Sequence, residues 1–132
     1  MARVAITISE PATRALLEGV DGPVYRYVDL EAELIKLAAR SNAPVKTGNL
    51  RSSIRATRNW PGLPRNAAAV IADTDYALAV EKGSKPHTIV PKNASVLRFP
   101  SRGGGVVFTH RVEHPGTTAN PFMLRALAAF RR

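Results

Sequence analysis

Five consecutive residues, His110-Arg111-Val112-Glu113-His114, carry the one spacing in this chain that fits a metal-dependent hydrolase, H-x-x-E-H. That chemistry needs both imidazoles on one helical face, four residues apart, with the carboxylate beside a metal-bound water. The flanks oppose it. Val106-Val107-Phe108-Thr109 leads in as a β-rich run, and Pro115-Gly116 follows at once. In an extended strand, residues four apart lie about 13 Å from each other, too far to share one zinc ion. The only other histidine is His87, and no second acidic motif offers a third ligand. The chain has no cysteine, so disulfides, thiolate metal sites and a cysteine nucleophile are excluded. Lys46-Thr47-Gly48 reverses the end of a phosphate loop and lacks its upstream glycine. Ser52 and Ser53 have no histidine near them in sequence and no nucleophile-elbow motif. The residues therefore point to no catalytic group, metal or cofactor.

What remains is charge. Nineteen basic against ten acidic residues give a net +9. Residues 1–35 carry −3 and the remainder +12, so the basic field is concentrated beyond the first quarter of the chain. Such a field favours polyanions or acidic protein surfaces as neighbours. Arg51, Arg55 and Arg58, expected to point mostly outward from one strand, are candidates to meet DNA or an acidic partner. So are Lys82, Lys85 and Lys92 in the polar stretch that follows. Aromatic residues make up only 6% of the chain and do not interleave with these cations as a base-stacking platform would. A basic nucleic-acid-binding accessory protein is the alternative from another functional class.

The elements that must position these residues follow from periodicity. Val4, Ile6 and Ile8 alternate as a short strand, and Ser9 caps a short helix that stops at Gly19. Asp21 is expected to cap a longer helix at about 22–41, ended by Ala43-Pro44. Val24, Val28, Ala32, Ile35 and Ala39 line one face of it. Tyr27, Leu30, Leu34 and Leu37 widen that band beyond what one sheet contact needs, which leaves part of it for a second partner. Strands are expected at Leu50–Arg58 with Ile54 inward, at Ala67–Asp73, Pro86–Pro91, Ser95–Phe99 and Val106–Glu113; Tyr76–Glu81 reads equally as helix or strand. Gly103-Gly104-Gly105 is either a loose hairpin tip or a loop that orders against a neighbouring subunit. Asn120-Pro121 opens a last helix whose Phe122, Met123, Ala126, Leu127 and Phe130 run nearly around it, as for a helix wedged between surfaces. A length of 132 residues is one domain's worth, no apolar run approaches the ~20 residues of a membrane span, and the first residues do not read as a secretory leader.

Three blocks in order carry a family resemblance. Ala43-Pro44-Val45-Lys46-Thr47-Gly48-Asn49-Leu50-Arg51-Ser52-Ser53-Ile54 resembles the "APv-x-TGnLr-x-SI" signature of the HK97 gp10-like phage morphogenesis proteins, the neck or head–tail joining proteins of tailed bacteriophages. Tyr76-Ala77…Val80-Glu81-Lys82-Gly83 is similar to that family's "YA-x-x-vE-x-G" block. His114-Pro115-Gly116-Thr117 through Pro121-Phe122-Met123, with Ala126-Leu127, is similar to its ending. The first 20 residues lie outside the match, and Lys82 stands where many relatives carry a bulkier apolar residue.

The resemblance implies an α+β subunit, one domain over 1–132, with a long N-terminal helix packed on a curved antiparallel β-sheet and a C-terminal helix. It implies no catalytic residue and no cofactor. It implies self-assembly into a ring, taken as a hexamer, in the virion neck, assembled in the host bacterial cytoplasm. The ring's neighbours would be a portal-side adaptor or head-closure protein and a tail terminator or tail tube protein. DNA would pass through its lumen, and no membrane would be involved. Tail terminators and head-closure proteins occupy adjacent collar positions that these motifs do not separate. Tyr76, Glu81, Phe122, Met123, Leu127 and Phe130 are the residues expected at subunit interfaces. Compact-domain scaling gives a radius of gyration of about 14 Å, and six such spheres in a ring leave a hole of about 36 Å, wider than a duplex. Such a ring concentrates like charge, so acidic neighbours or DNA in the lumen are expected to neutralise it.

Overall fold

The computed structural model describes residues 7–131. The chain is α+β, with helices α1 (Glu10–Glu18), α2 (Pro23–Asn42), α3 (Asn49–Ser53), α4 (Ala77–Lys82) and α5 (Phe122–Ala128). Its strands are β1 (Ile54–Thr57), β2 (Ala69–Ala72), β3 (His87–Ile89), β4 (Leu97–Pro100), β5 (Val106–Thr109) and β6 (Val112–His114). The strands pair antiparallel as three two-stranded ladders, β1–β2, β3–β6 and β4–β5. The chain divides into two compact units, Met1–Ala77 with Phe122–Arg132, and Leu78–Pro121. The strand expected at Val4–Ile8 falls mostly outside the described residues, and Thr7 and Ile8 carry no strand pairing.

In the first unit, Ser9 caps α1 by accepting the Ala12 amide, and Gly19 ends it. The cap of α2 is Gly22, not Asp21. Proline at the first helical position needs no amide partner and fixes the cap one residue later, while Asp21 takes a left-handed φ of 66°. The residue before Pro44, Ala43, is extended and ends α2 as expected.

The core belongs to α2, α3, β1 and α5: Ala32, Ala39, Ala43, Leu50, Ile54, Phe122 and Ala126 are buried, joined by Ala77. Small side chains on α2 and α5 let these two helices pack closely, and theirs is the most extensive helix contact in the unit. At the end of α2, Arg40 donates twice to the Ile54 carbonyl, at 3.0 and 2.8 Å, and Asn42 donates to the Phe122 carbonyl at 3.5 Å.

Residues 50–53 are helical, which corrects the expected strand over Leu50–Arg58. Gly48 adopts φ 85° and starts α3, and the Ser52 and Ser53 hydroxyls donate back to the Asn49 and Leu50 carbonyls, at 3.0 and 2.8 Å. Such local bonds hold a helical turn against an extended alternative. The strand begins only at Ile54, which points inward as expected and pairs with Ala72. Tyr76–Glu81 resolves into a turn and α4.

The second unit, Leu78–Pro121, is built from β3–β6 and β4–β5. The expected single strand over Val106–Glu113 is two. The Thr109 hydroxyl donates to the Arg111 carbonyl at 2.9 Å, and His110 Nδ1 lies 3.0 Å from the Ser95 carbonyl oxygen. The chain therefore leaves β4 as its partner and resumes against β3. Ser84 and Thr117 exchange both backbone bonds, at 2.9 and 3.0 Å, and glycines 83 and 116 flank this crossing. A Cβ on Gly83 would lie 2.6 Å from the Thr117 carbonyl oxygen, and one on Gly116 2.3 Å from that of Ser84. The crossing is thus closed by backbone against backbone.

Candidate assembly surface

The hydrolase spacing does not become a site. His110 lies between β5 and β6, and His114 stacks on His87 across the β3–β6 ladder with ring centroids 5.1 Å apart. His114 Nδ1 accepts the Gly116 amide at 3.0 Å, and Glu113 accepts the Thr88 hydroxyl at 2.7 Å. These partners knit a ladder. Among the described residues no group of three metal-ligating side chains forms.

The expected cations divide. Arg58 is turned inward, in contrast to its expected outward orientation. Its Nε donates to Asp29 at 2.6 Å, its other nitrogens donate to the carbonyls of Tyr25, Arg65 and Ala67, and its guanidinium lies 3.4 Å from the Tyr25 ring centroid. It ties α2 to the end of β1. Arg55 is exposed and pairs with Asp73 at 3.3 Å. Arg51 is exposed on α3, beside Arg40 at an open hollow of about 330 Å³. Lys82, Lys85 and Lys92 are exposed in the second unit. From Lys82 to Val112 that unit carries six cations and no carboxylate.

The expected interface residues divide too. Phe122 is wholly buried in its own unit, which makes it a core residue and not a subunit contact. Met123 and Phe130 are half-buried; Leu127 and Tyr76 are exposed in the first unit, and Glu81 is half-buried on α4. The expected wedged helix therefore buries Phe122 and Ala126 and leaves Leu124 and Leu127 outward.

The larger apolar surface lies on α2. Val24, Val28, Ala32, Ile35 and Ala39 face inward, whereas Tyr27, Leu30, Leu34 and Leu37 are 62, 58, 37 and 57% exposed. Their 3-4-3 spacing places them on one stripe about 15 Å long. Glu31 borders the stripe on one side and Glu33, ion-paired to Lys36, on the other; Arg26 adjoins its N-terminal end.

A second such surface lies on the β4–β5 hairpin, which the sequence reading did not single out. The register Arg98↔Phe108 and Pro100↔Val106 sets these four side chains on one face, and all four are exposed. The signal was present in Val106 and Phe108, two residues apart in a β-rich run. The tip is a compact turn, with the Ser101 amide bonded to the Gly105 carbonyl at 3.0 Å, and Arg102 exposed upon it.

Not one side chain of residues 78–121 is fully buried. Fewer than 50 residues without a core are expected to need a metal, disulfide or partner for stability.

Compared with family models, curated proteins and solved structures, the chain matches none.

Proposed function

We propose that this chain is a non-enzymatic structural subunit that works by self-association, forming a ring-shaped collar at the head–tail junction of a tailed phage or phage-like particle. In this reading it joins a head-side connector to the tail and keeps the DNA channel continuous. The adjacent terminator and head-closure positions are variants of the same proposal. Two observations from separate units carry it, the coreless unit 78–121 and the uncovered stripe of α2, each a surface that a monomer leaves unfinished. The three-block resemblance supplies the particular setting. Two of those blocks contribute Gly83 and Gly116 to one backbone crossing, a structural reason for both glycines.

Native mass spectrometry of the full chain, with and without duplex DNA, tests the proposal. A closed oligomer of one size without DNA supports the collar. A monomer that binds DNA with an affinity falling steeply in salt supports the nucleic-acid-binding alternative and refutes the collar.

A further inference from the structure

The two uncovered surfaces match each other. The α2 stripe presents Tyr27, Leu30, Leu34 and Leu37 with Glu31 on one margin and the Glu33–Lys36 ion pair on the other, while Asp29 is taken up by Arg58. The hairpin face presents Pro100, Val106 and Phe108 with Arg98, in a unit that lacks acid from Lys82 to Val112. Val106 and Phe108, two apart on a strand, are separated by about 6.6 Å. Leu30 and Leu34, one turn apart on a helix, are separated by about 6 Å along its axis. Apolar rows of nearly equal pitch thus carry Glu31 at one margin of the stripe and Arg98 on the hairpin. An isolated two-stranded hairpin is marginal in water and gains most from a partner that covers its apolar side.

We propose that copies of this chain associate head to tail, the Arg98/Pro100/Val106/Phe108 face of one copy's β4–β5 hairpin seating on the Tyr27/Leu30/Leu34/Leu37 stripe of the next copy's α2. The occupant of the stripe is a second copy of the chain. Because the two surfaces differ, the contact is heterologous and each copy keeps one of each surface available, so that association continues until it closes into a ring or extends as a filament. The inference deepens the collar proposal and rests on it only for closure. The contact also sets Glu31 against the cationic unit of the neighbour, which relieves part of the repulsion among copies that each carry +9.

The absence of cysteine makes the test direct. Leu30→Cys with Phe108→Cys, both at exposed positions, is oxidised in the full chain at micromolar concentration and run without reductant. The expected result is a ladder of disulfide-linked oligomers that reductant collapses, while either single variant stops at dimers. The control pair Leu30→Cys with Lys85→Cys, which places the second thiol off the hairpin, yields at least tenfold less ladder. Glu31→Arg with Glu33→Arg, or Arg98→Glu with Arg102→Glu, added to the thiol pair, lowers the yield about tenfold, and all four charge reversals together restore it. Far-UV circular dichroism checks that each variant retains its fold. A disulfide closing within the monomer at every dilution, or a ladder no stronger than the control, overturns the proposal. Native mass spectrometry of the unmodified chain separates the two claims. A closed ring without the Leu30–Phe108 cross-link refutes this contact and leaves the collar standing. A cross-linked ladder that only ever lengthens keeps the contact and refutes the collar.

Discussion

Replacing Gly116 by alanine isolates what the backbone crossing of residues 78–121 contributes, with Gly48→Ala as the reference. Both glycines have a left-handed backbone, φ 90° and 85°. An alanine there costs about 1–2 kcal/mol in conformation alone. At Gly48 nothing lies within 4 Å of the added Cβ, so that cost is the whole effect. At Gly116 the Cβ would meet the Ser84 carbonyl oxygen at 2.3 Å, the Lys85 carbonyl carbon at 3.0 Å and Pro86 N at 3.1 Å. All three are backbone atoms, so the two segments must separate by about 0.7 Å to bring the closest contact to 3.0 Å. That movement strains the reciprocal Ser84–Thr117 bonds, at about 0.5–1.5 kcal/mol each. The total is about 2–5 kcal/mol, or roughly a 30- to 4,000-fold rise in local opening. Amide hydrogen exchange at Ser84 and Thr117 reads it directly. Gly116→Ala is expected to strip their protection by that factor. Gly48→Ala leaves it unchanged and instead lowers the urea midpoint followed by Trp60, the only tryptophan. Equal loss of protection in the two variants would show that close approach does not hold this crossing, and the reasoning from the glycine contacts would fail.

Three further outcomes are expected. Arg58→Ala removes the Asp29 pair, three carbonyl contacts and the stacking on Tyr25, and should cost about 2–3 kcal/mol in urea unfolding; Arg58→Lys should recover less than half, because an ammonium lacks the guanidinium's fork. Phe122→Ala should cost about 3–5 kcal/mol as a cavity in the first unit, whereas Leu127→Ala should cost about 1 kcal/mol or less, since nearly half of Leu127 is already exposed. Equal values for these two would contradict the division between core and surface on α5. Sedimentation of the wild-type chain should show assembly that responds to ionic strength and to added duplex DNA; indifference to both would exclude electrostatic neutralisation as a control on assembly.

The longer helices were the legible part of this fold, because their signals are local. Ser9, Gly19 and Pro44 bound α1 and end α2 by local stereochemistry, whereas Pro23 set the start of α2 one residue later than the expected Asp21 cap would. The division of α2 into an inward row and a surplus row was also readable, since the two sets differ in angular position. Strand limits were less legible. Leu50–Arg58 alternates acceptably, yet serine hydroxyls bonding back to Asn49 and Leu50 turn its first half into α3. Thr109 breaks Val106–Glu113 by a bond that hydropathy does not register. Arg58 shows the limit for sites. Alternation gives the face of a strand, but an arginine is long enough to turn back past the strand's end to Asp29 and Tyr25, both more than 25 residues earlier. The hairpin surface needed the register of β4 on β5, and pairing register is a non-local quantity.

The first unit is discontinuous in the chain, its two parts separated by residues 78–121. Phe122 and Ala126, which fill it from α5, leave the ribosome about 80 residues after α2 is complete. At 5–20 residues per second that is a delay of about 4–16 s. Throughout it the part of α2 that α5 will cover stays bare, as does the outward row, although α1, α3 and β1 can already pack on the helix. Folding of this protein is therefore tied to the tempo of translation. Slowing synthesis between codons 43 and 121 should lengthen the nascent chain's dependence on chaperones, while the finished protein's stability stays the same.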